Sequence, residues 1–193
     1  MRSQLKCLLG AAVLSLGLST GASAVTIIFE ANFQPEGVGA TGSGFARVTF
    51  DTDLSTMRTE ATWSGTSGTS TVAHIHCCTT TPGVGNAGVA TQLPSFTLFP
   101  TGVTSGSYDH TFDMSVAASW NPTFVTANGG TPLTALSALI AGLQDDRAYF
   151  NIHTSTFGGG EIRARLALVP EPSSALLVGL GIALLAQKRR ASV

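Results

Sequence analysis

Apolar and polar residues alternate along seven short stretches of the chain. These are 25–33 (VTIIFEANF), 44–51 (GFARVTFD), 57–64 (MRTEATWS), 70–77 (STVAHIHC), 107–116 (SYDHTFDMSV), 147–154 (RAYFNIHT) and 160–168 (GEIRARLAL). Successive side chains of a strand point to opposite faces, so a period of two predicts strands with one buried face and one polar face. The stretches are rich in β-branched and aromatic residues and are punctuated by Gly, Ser, Thr and Asp, which favour turns. Short strands with turn-rich connections predict an all-β domain, an antiparallel β-sandwich or barrel.

One segment breaks this period. In TPLTALSALIAGL, Leu133, Leu136, Leu139, Ile140 and Leu143 recur at steps of three and four, which places them on one face of a short helix over about 131–143. Thr131 suits the N-cap and Pro132 the first helical position. Gly142 weakens the last turn, Asp145 and Asp146 end it, and the helix is expected to close one end of the β domain. Residues 78–106 have little periodicity. Leu93, Phe96, Leu98 and Phe99 lie within them, so this long connection is expected to pack onto the domain rather than hang free.

The candidate chemistry is concentrated at STVAHIHCC, residues 70–78, which holds two of the chain's four histidines and two of its three cysteines: His74, His76, Cys77 and Cys78. Strand parity puts His74 and His76 on one face and Ala73, Ile75 and Cys77 on the other. The same parity separates Tyr149, Asn151 and His153 from Phe150 and Ile152, and Glu161, Arg163 and Arg165 from Ile162, Ala164 and Leu166. With the apolar sets facing the core, His74, His76, His153 and Glu161 are expected as an exterior cluster, and Arg163 and Arg165 as the partners of Glu161. A His-x-His pair on a strand can direct two imidazoles at one Zn²⁺ or Cu²⁺. The metal candidates are therefore His74 and His76 with a third ligand, His153 foremost and His110 or a cysteine as alternatives. Imidazoles bonded to loop backbone are the competing structural reading. For Cys77 and Cys78 a disulfide between neighbours is one outcome in an oxidising compartment; free thiols, thiolate–metal ligation and a bridge to another chain stay open.

The two ends carry addresses. Arg2 and Lys6, the apolar run CLLGAAVLSLGL and the small residues Ala22, Ser23 and Ala24 predict a signal peptide over 1–24 that removes Cys7. At the other end, Pro170 and Pro172 stop the last strand. An apolar run of 12 residues, Ala175–Ala186, then precedes Lys188, Arg189 and Arg190. Such a run is short for a bilayer core of about 30 Å. The order Val169-Pro170-Glu171-Pro172, apolar helix, basic cluster resembles the PEP-CTERM sorting signal of Gram-negative bacteria. That resemblance covers 169–193 and implies an exosortase as processing partner, a transient inner-membrane anchor and release to the cell surface or the extracellular matrix. Pro170, Glu171 and Pro172 would be the recognition motif. Between the ends, 25–168 reads as one domain with 5 basic and 10 acidic residues and no lysine. A net charge of about −5 without a basic stripe argues against nucleic acid as a partner.

Within that domain, AHIH (73–76), GVATQL (88–93), YFNIHTSTFGGGEIRARL (149–166) and the early TGSGFARVTFD (41–51) resemble the CHRD domain, first described in chordin and found singly in bacterial exported proteins. Ala164 stands where glycine is common, and Cys77-Cys78 replaces a polar-Gly turn. The resemblance implies an all-β extracellular module with a binding or structural role, and no catalytic residues carry over from it; an extracellular polysaccharide or protein is the expected partner. AHIHCC also resembles, more faintly, the His-x-His strand of copper–zinc superoxide dismutases, which supplies the alternative of a copper or zinc metalloprotein and mononuclear redox enzyme. Four histidines are too few for a dinuclear site of that type, and no Gly-x-Ser-x-Gly elbow is present. A non-enzymatic module is the expectation.

Overall fold

The computed structural model describes residues 26–170. Eight strands are present: β1 (Thr26–Pro35), β2 (Ser43–Asp51), β3 (Thr56–Ser64), β4 (Ser70–His76), β5 (Gly106–Asp113), β6 (Tyr149–Thr154), β7 (Ile162–Ala164) and β8 (Ala167–Leu168). They form one antiparallel sheet in the order β4-β6-β7-β1-β2-β3-β5, with β8 also pairing β1. The sheet curls into a half-barrel, as the all-β expectation requires. The stretch predicted as one strand over 160–168 is divided into β7 and β8, because the chain leaves the ladder at Arg165 and Leu166.

The alternation of the sequence becomes the two faces of this sheet. Phe29 and Phe33 of β1, Val48 and Phe50 of β2, Met57 and Trp63 of β3, Tyr108 and Phe112 of β5, Ile75 of β4, and Phe150 and Ile152 of β6 are all buried. On the opposite face Glu30, Arg47, Glu60 and Asp109 are successive cross-strand partners. Arg47 pairs with Glu30, and Arg58 with Glu60 and Asp109. Such exposed pairs contribute little each, about 0–1 kcal/mol, and mainly keep this face in water. The β2–β3 turn is set locally: the Asp51 carboxylate accepts from the backbone N–H of Asp53 and Leu54, the side-chain turn that short acidic residues favour.

Strands β4 and β5 are the two edges of the sheet, and the long 77–105 connection fills the gap between them. Phe96 donates its N–H to Ala73 O on β4, while Tyr108 on β5 donates its hydroxyl to Thr97 O. Phe96 packs against Phe112, Phe150 and Tyr108, and Phe99 stacks on Trp63. The expectation that this loop covers the domain holds for Phe96 and Phe99. It fails for Leu93 and Leu98, which are exposed.

Two α-helices, α1 (Pro122–Ala127) and α2 (Pro132–Gln144), and a short 3-10 turn at Ala117–Ser119 lie between β5 and β6. Only α2 was legible as a helix. Thr131 caps it through a reciprocal box with Thr134, and Pro132 begins it. Its buried face is Ala135, Leu136, Leu139, Gly142 and Leu143, with Leu133 exposed rather than buried. The helix packs beside β8 and the Cys77-Cys78 corner. Among the described residues no helix is long and apolar enough to cross a membrane. The signal peptide expected over 1–24, Cys7, Glu171, Pro172 and the expected C-terminal apolar helix lie outside the described residues.

Candidate metal centre

Register places the histidines together. In the β4–β6 ladder Val72 is opposite His153, His74 opposite Asn151 and His76 opposite Tyr149. His74 and His76 therefore share a face with Tyr149, Asn151 and His153, and His153 is the diagonal neighbour of His74. The ring centroids of His74 and His153 are 5.3 Å apart, those of His74 and His76 5.7 Å, and those of His76 and His153 5.8 Å. One ring nitrogen from each of the three lies within 4.8 Å of the other two.

The face is the one parity predicts, away from Ile75 and Ile152. Its expected exposure is corrected: His74, His76 and His153 are 5 %, 8 % and 8 % exposed. Two loops fold over them and offer backbone carbonyls. His74 Nε2 donates to Pro94 O, His76 Nδ1 donates to Ala87 O at 2.9 Å, and His153 Nδ1 donates to Gly158 O at 2.9 Å. A carbonyl oxygen can only accept, so each of these nitrogens carries the ring proton. The other nitrogens, His74 Nδ1, His76 Nε2 and His153 Nε2, are buried without a hydrogen-bond partner.

Burial disfavours the charged form of two of the three imidazoles. Burial pushes the His76 imidazole down to about 4, against the opposing hydrogen bond to Ala87, and burial also lowers His74. A neutral imidazole whose N–H is held by a carbonyl presents its other nitrogen as a lone pair in a fixed direction, the arrangement in which histidine ligates metals.

Around the three rings lie residues that were not metal candidates in the sequence. Tyr149 stacks on His76 with centroids 5.0 Å apart. The guanidinium of Arg163 lies 3.7 Å above the same tyrosine ring and is ion-paired with Glu36. Glu36 accepts from Asn151 Nδ2 at 2.7 Å. Parity already grouped Tyr149 and Asn151 with His153; the contribution of Glu36 depends on the pairing of β1 with β7, which no local pattern reports.

Glu161 does not join the cluster. Its carboxylate is fully buried and accepts from Ser67 N–H at 2.6 Å, Gly68 N–H at 3.2 Å, Thr41 N–H at 3.2 Å and the Thr154 hydroxyl at 2.6 Å. The strand period lapses at Gly160, with φ of 123°, and this turns Glu161 away from Arg163 and Arg165. Those arginines pair instead with Glu36 and Asp146. His110 sits on β5, at the opposite edge of the sheet, beside Phe112. Cys77 and Cys78 are bonded to each other. The third member of the histidine set is thus His153, and no cysteine belongs to it.

Among the described residues, a half-barrel of eight antiparallel strands with a buried three-histidine cluster defines an all-β module. The CHRD domain family model matches residues 19–166, and the chain belongs to that family. No curated protein and no solved structure matches it. The match begins six residues ahead of the predicted start of the domain at Val25 and ends two residues before its predicted end.

Proposed function

We propose that this chain is an exported bacterial cell-surface or matrix protein whose CHRD module binds one Zn²⁺ or Cu²⁺ through His74, His76 and His153. The observation that carries the metal reading is the orientation of the three imidazoles. Each gives its N–H to a backbone carbonyl and leaves its other nitrogen buried and bare, and one ring nitrogen of each lies within 4.8 Å of the other two. Burying a polar atom without a partner costs about 1–3 kcal/mol, and three at one point are reconciled by an ion that accepts three lone pairs. Imidazole suits both zinc and copper. A structural or binding role is the one that membership of the CHRD family suggests.

Metal analysis of the purified protein tests this. One Zn or Cu per chain and a metal-dependent rise in melting temperature are expected, and both should be lost in His76→Ala. An absence of stoichiometric metal together with an unchanged melting temperature on adding either ion would sink it. A mononuclear copper redox enzyme is the second reading, since the same nitrogens would hold copper. Superoxide turnover by the copper-loaded protein above that of an equal concentration of free copper would favour it.

Export and sorting rest on the terminal sequences. Intact mass of the protein recovered from culture supernatant should correspond to loss of residues 1–24 and of the tail beyond the Pro170-Glu171-Pro172 motif by an exosortase. Retention of the whole tail on the released protein counts against the sorting role. The partner beyond that enzyme would be an extracellular polysaccharide or protein.

A further inference from the structure

We infer that Asn151 is the fourth protein donor of the metal centre, presenting its amide oxygen to the ion held by His74, His76 and His153; this rests on the metal reading above. Asn151 is 1 % exposed, and its Oδ1 has no hydrogen-bond partner. The orientation of the amide is not arbitrary. Nδ2 lies 2.7 Å from Glu36 Oε2, and a carboxylate oxygen accepts, so nitrogen must face Glu36 and oxygen must face away from it. Glu36 is itself held by Arg163. The Arg163–Glu36–Asn151 relay therefore clamps a buried carbonyl oxygen that no protein group satisfies.

Register places the backbone of Asn151 between two neighbours, His74 on β4 and Arg163 on β7. Asn151 is the direct cross-strand partner of His74 and is flanked on its own strand and face by Tyr149 and His153. Cβ atoms of directly opposed residues are about 5 Å apart. His74 leaves Nδ1 bare, the ring nitrogen nearer its own backbone, while His76 and His153 leave Nε2. An ion on His74 Nδ1 is consequently held close to the sheet, within reach of a side chain as short as asparagine. Three imidazoles and one amide oxygen give four donors, as in a closed site rather than one with an open catalytic position; an amide oxygen beside imidazoles is also a donor that copper accepts as a weak axial ligand.

Gly160 is shaped by the same clamp. Its φ is 123°, and a Cβ there would collide with both terminal atoms of Asn151 and with Glu36 Oε2. A side chain at position 160 is incompatible with the amide where it stands.

The test compares Cu²⁺ and Zn²⁺ binding by the wild-type protein, Asn151→Leu and Asn151→Asp, with the melting temperature of each metal-free protein measured alongside. Loss of the oxygen in Asn151→Leu should weaken metal affinity at least tenfold, within the range seen when groups supporting a metal site are removed, and should alter the Cu²⁺ electron paramagnetic resonance spectrum. Asn151→Asp keeps an oxygen and adds charge, so its affinity should equal or exceed that of the wild type. Equal affinity and an unchanged spectrum in Asn151→Leu would overturn the inference while leaving the three-histidine site intact. A wild-type protein that binds neither ion would overturn both. Should Asn151→Leu not fold, the side-chain amide of Asn151 can be followed by ¹⁵N NMR in the wild type. One equivalent of Zn²⁺ should shift that resonance more than any other side-chain amide, and no shift on stoichiometric binding would refute the role.

Discussion

The rings of His76 and Tyr149 lie 5.0 Å apart and 6° from parallel, with the guanidinium of Arg163 on the far side of the tyrosine. Tyr149 is thus the wall that holds His76, and its hydroxyl accepts the Ala87 N–H at 3.1 Å. Ala87 in turn supplies the carbonyl that fixes the His76 tautomer. Tyr149→Phe removes the hydroxyl's two hydrogen bonds to Ala87, one accepted at 3.1 Å and a long one donated at 3.5 Å, and should lower stability by about 1–2 kcal/mol in denaturant unfolding. Tyr149→Ala opens a cavity and should cost about 3–5 kcal/mol. If the ring matters to His76 as well, metal affinity should fall in Tyr149→Ala and stay near wild type in Tyr149→Phe.

Acid should act on the metal-free protein in two windows. The His76 imidazole is pushed from 6.5 down to about 4 by burial. Between those values the unfolded chain binds more protons than the folded one, so stability rises with pH across about 4 to 6.5 and is lost as pH falls. The difference corresponds to roughly 3 kcal/mol. In His76→Ala the change of stability between pH 7 and pH 4 should shrink by most of that amount, measured by urea unfolding at each pH; an unchanged slope would contradict burial as the cause.

Glu161 governs the lower window. Burial raises its carboxyl, but hydrogen bonds from Thr154, Ser67 and Gly68 outweigh it and hold the group at about 2, below its ordinary 4.5. Its stabilisation is complete above about pH 4.5 and is lost as pH falls through about 2, on the order of 3 kcal/mol in all. Glu161→Gln cannot satisfy four donors with one carbonyl oxygen and adds an NH₂ among them. It should be destabilised at pH 7 and lose less stability than wild type on acidification, as thermal unfolding at pH 7 and pH 3 will show.

Gly142 faces the bonded sulfurs of Cys77 and Cys78, and a Cβ at that position would collide with both. Ala is the better helix former by roughly 1 kcal/mol, so propensity alone predicts that Gly142→Ala stabilises α2. The packing argument predicts the reverse, a loss of about 1–3 kcal/mol from overpacking. Thermal unfolding of the single variant decides the sign.

Much of the fold was open to inspection before any coordinates. The alternation in TIIFEANF, RVTF and MRTEATW predicts which side of each strand is buried, because a pleated strand allows only two faces. Thr131-Pro132 predicts where α2 begins, because capping is local. Helix α1 was not legible: PTFVTA is too short for a helical period to appear, and it is held by Asn121 capping Thr123 and by the burial of Phe124. The split at Arg165 was equally hidden, since nothing in EIRARLAL distinguishes a strand that stays in the ladder from one that leaves it.

The site divides in the same way. By itself the sequence grouped His74 with His76 on one side of their strand, and Tyr149, Asn151 and His153 on one side of theirs, because side-chain parity follows from covalent geometry; the pairing of β4 with β6 puts the two sets on one face. The sequence also pointed to an acidic module with a processed end on either side. Tertiary structure alone decided that this face is buried, since loops around Ala87, Pro94 and Gly158 fold over it and orient each imidazole through a carbonyl. It alone sent Glu161 to the backbone of Ser67 and Gly68 and brought Glu36 to Asn151. Those contacts join residues up to 115 positions apart, and their pairing depends on strand order and loop closure, which no local pattern of residues encodes.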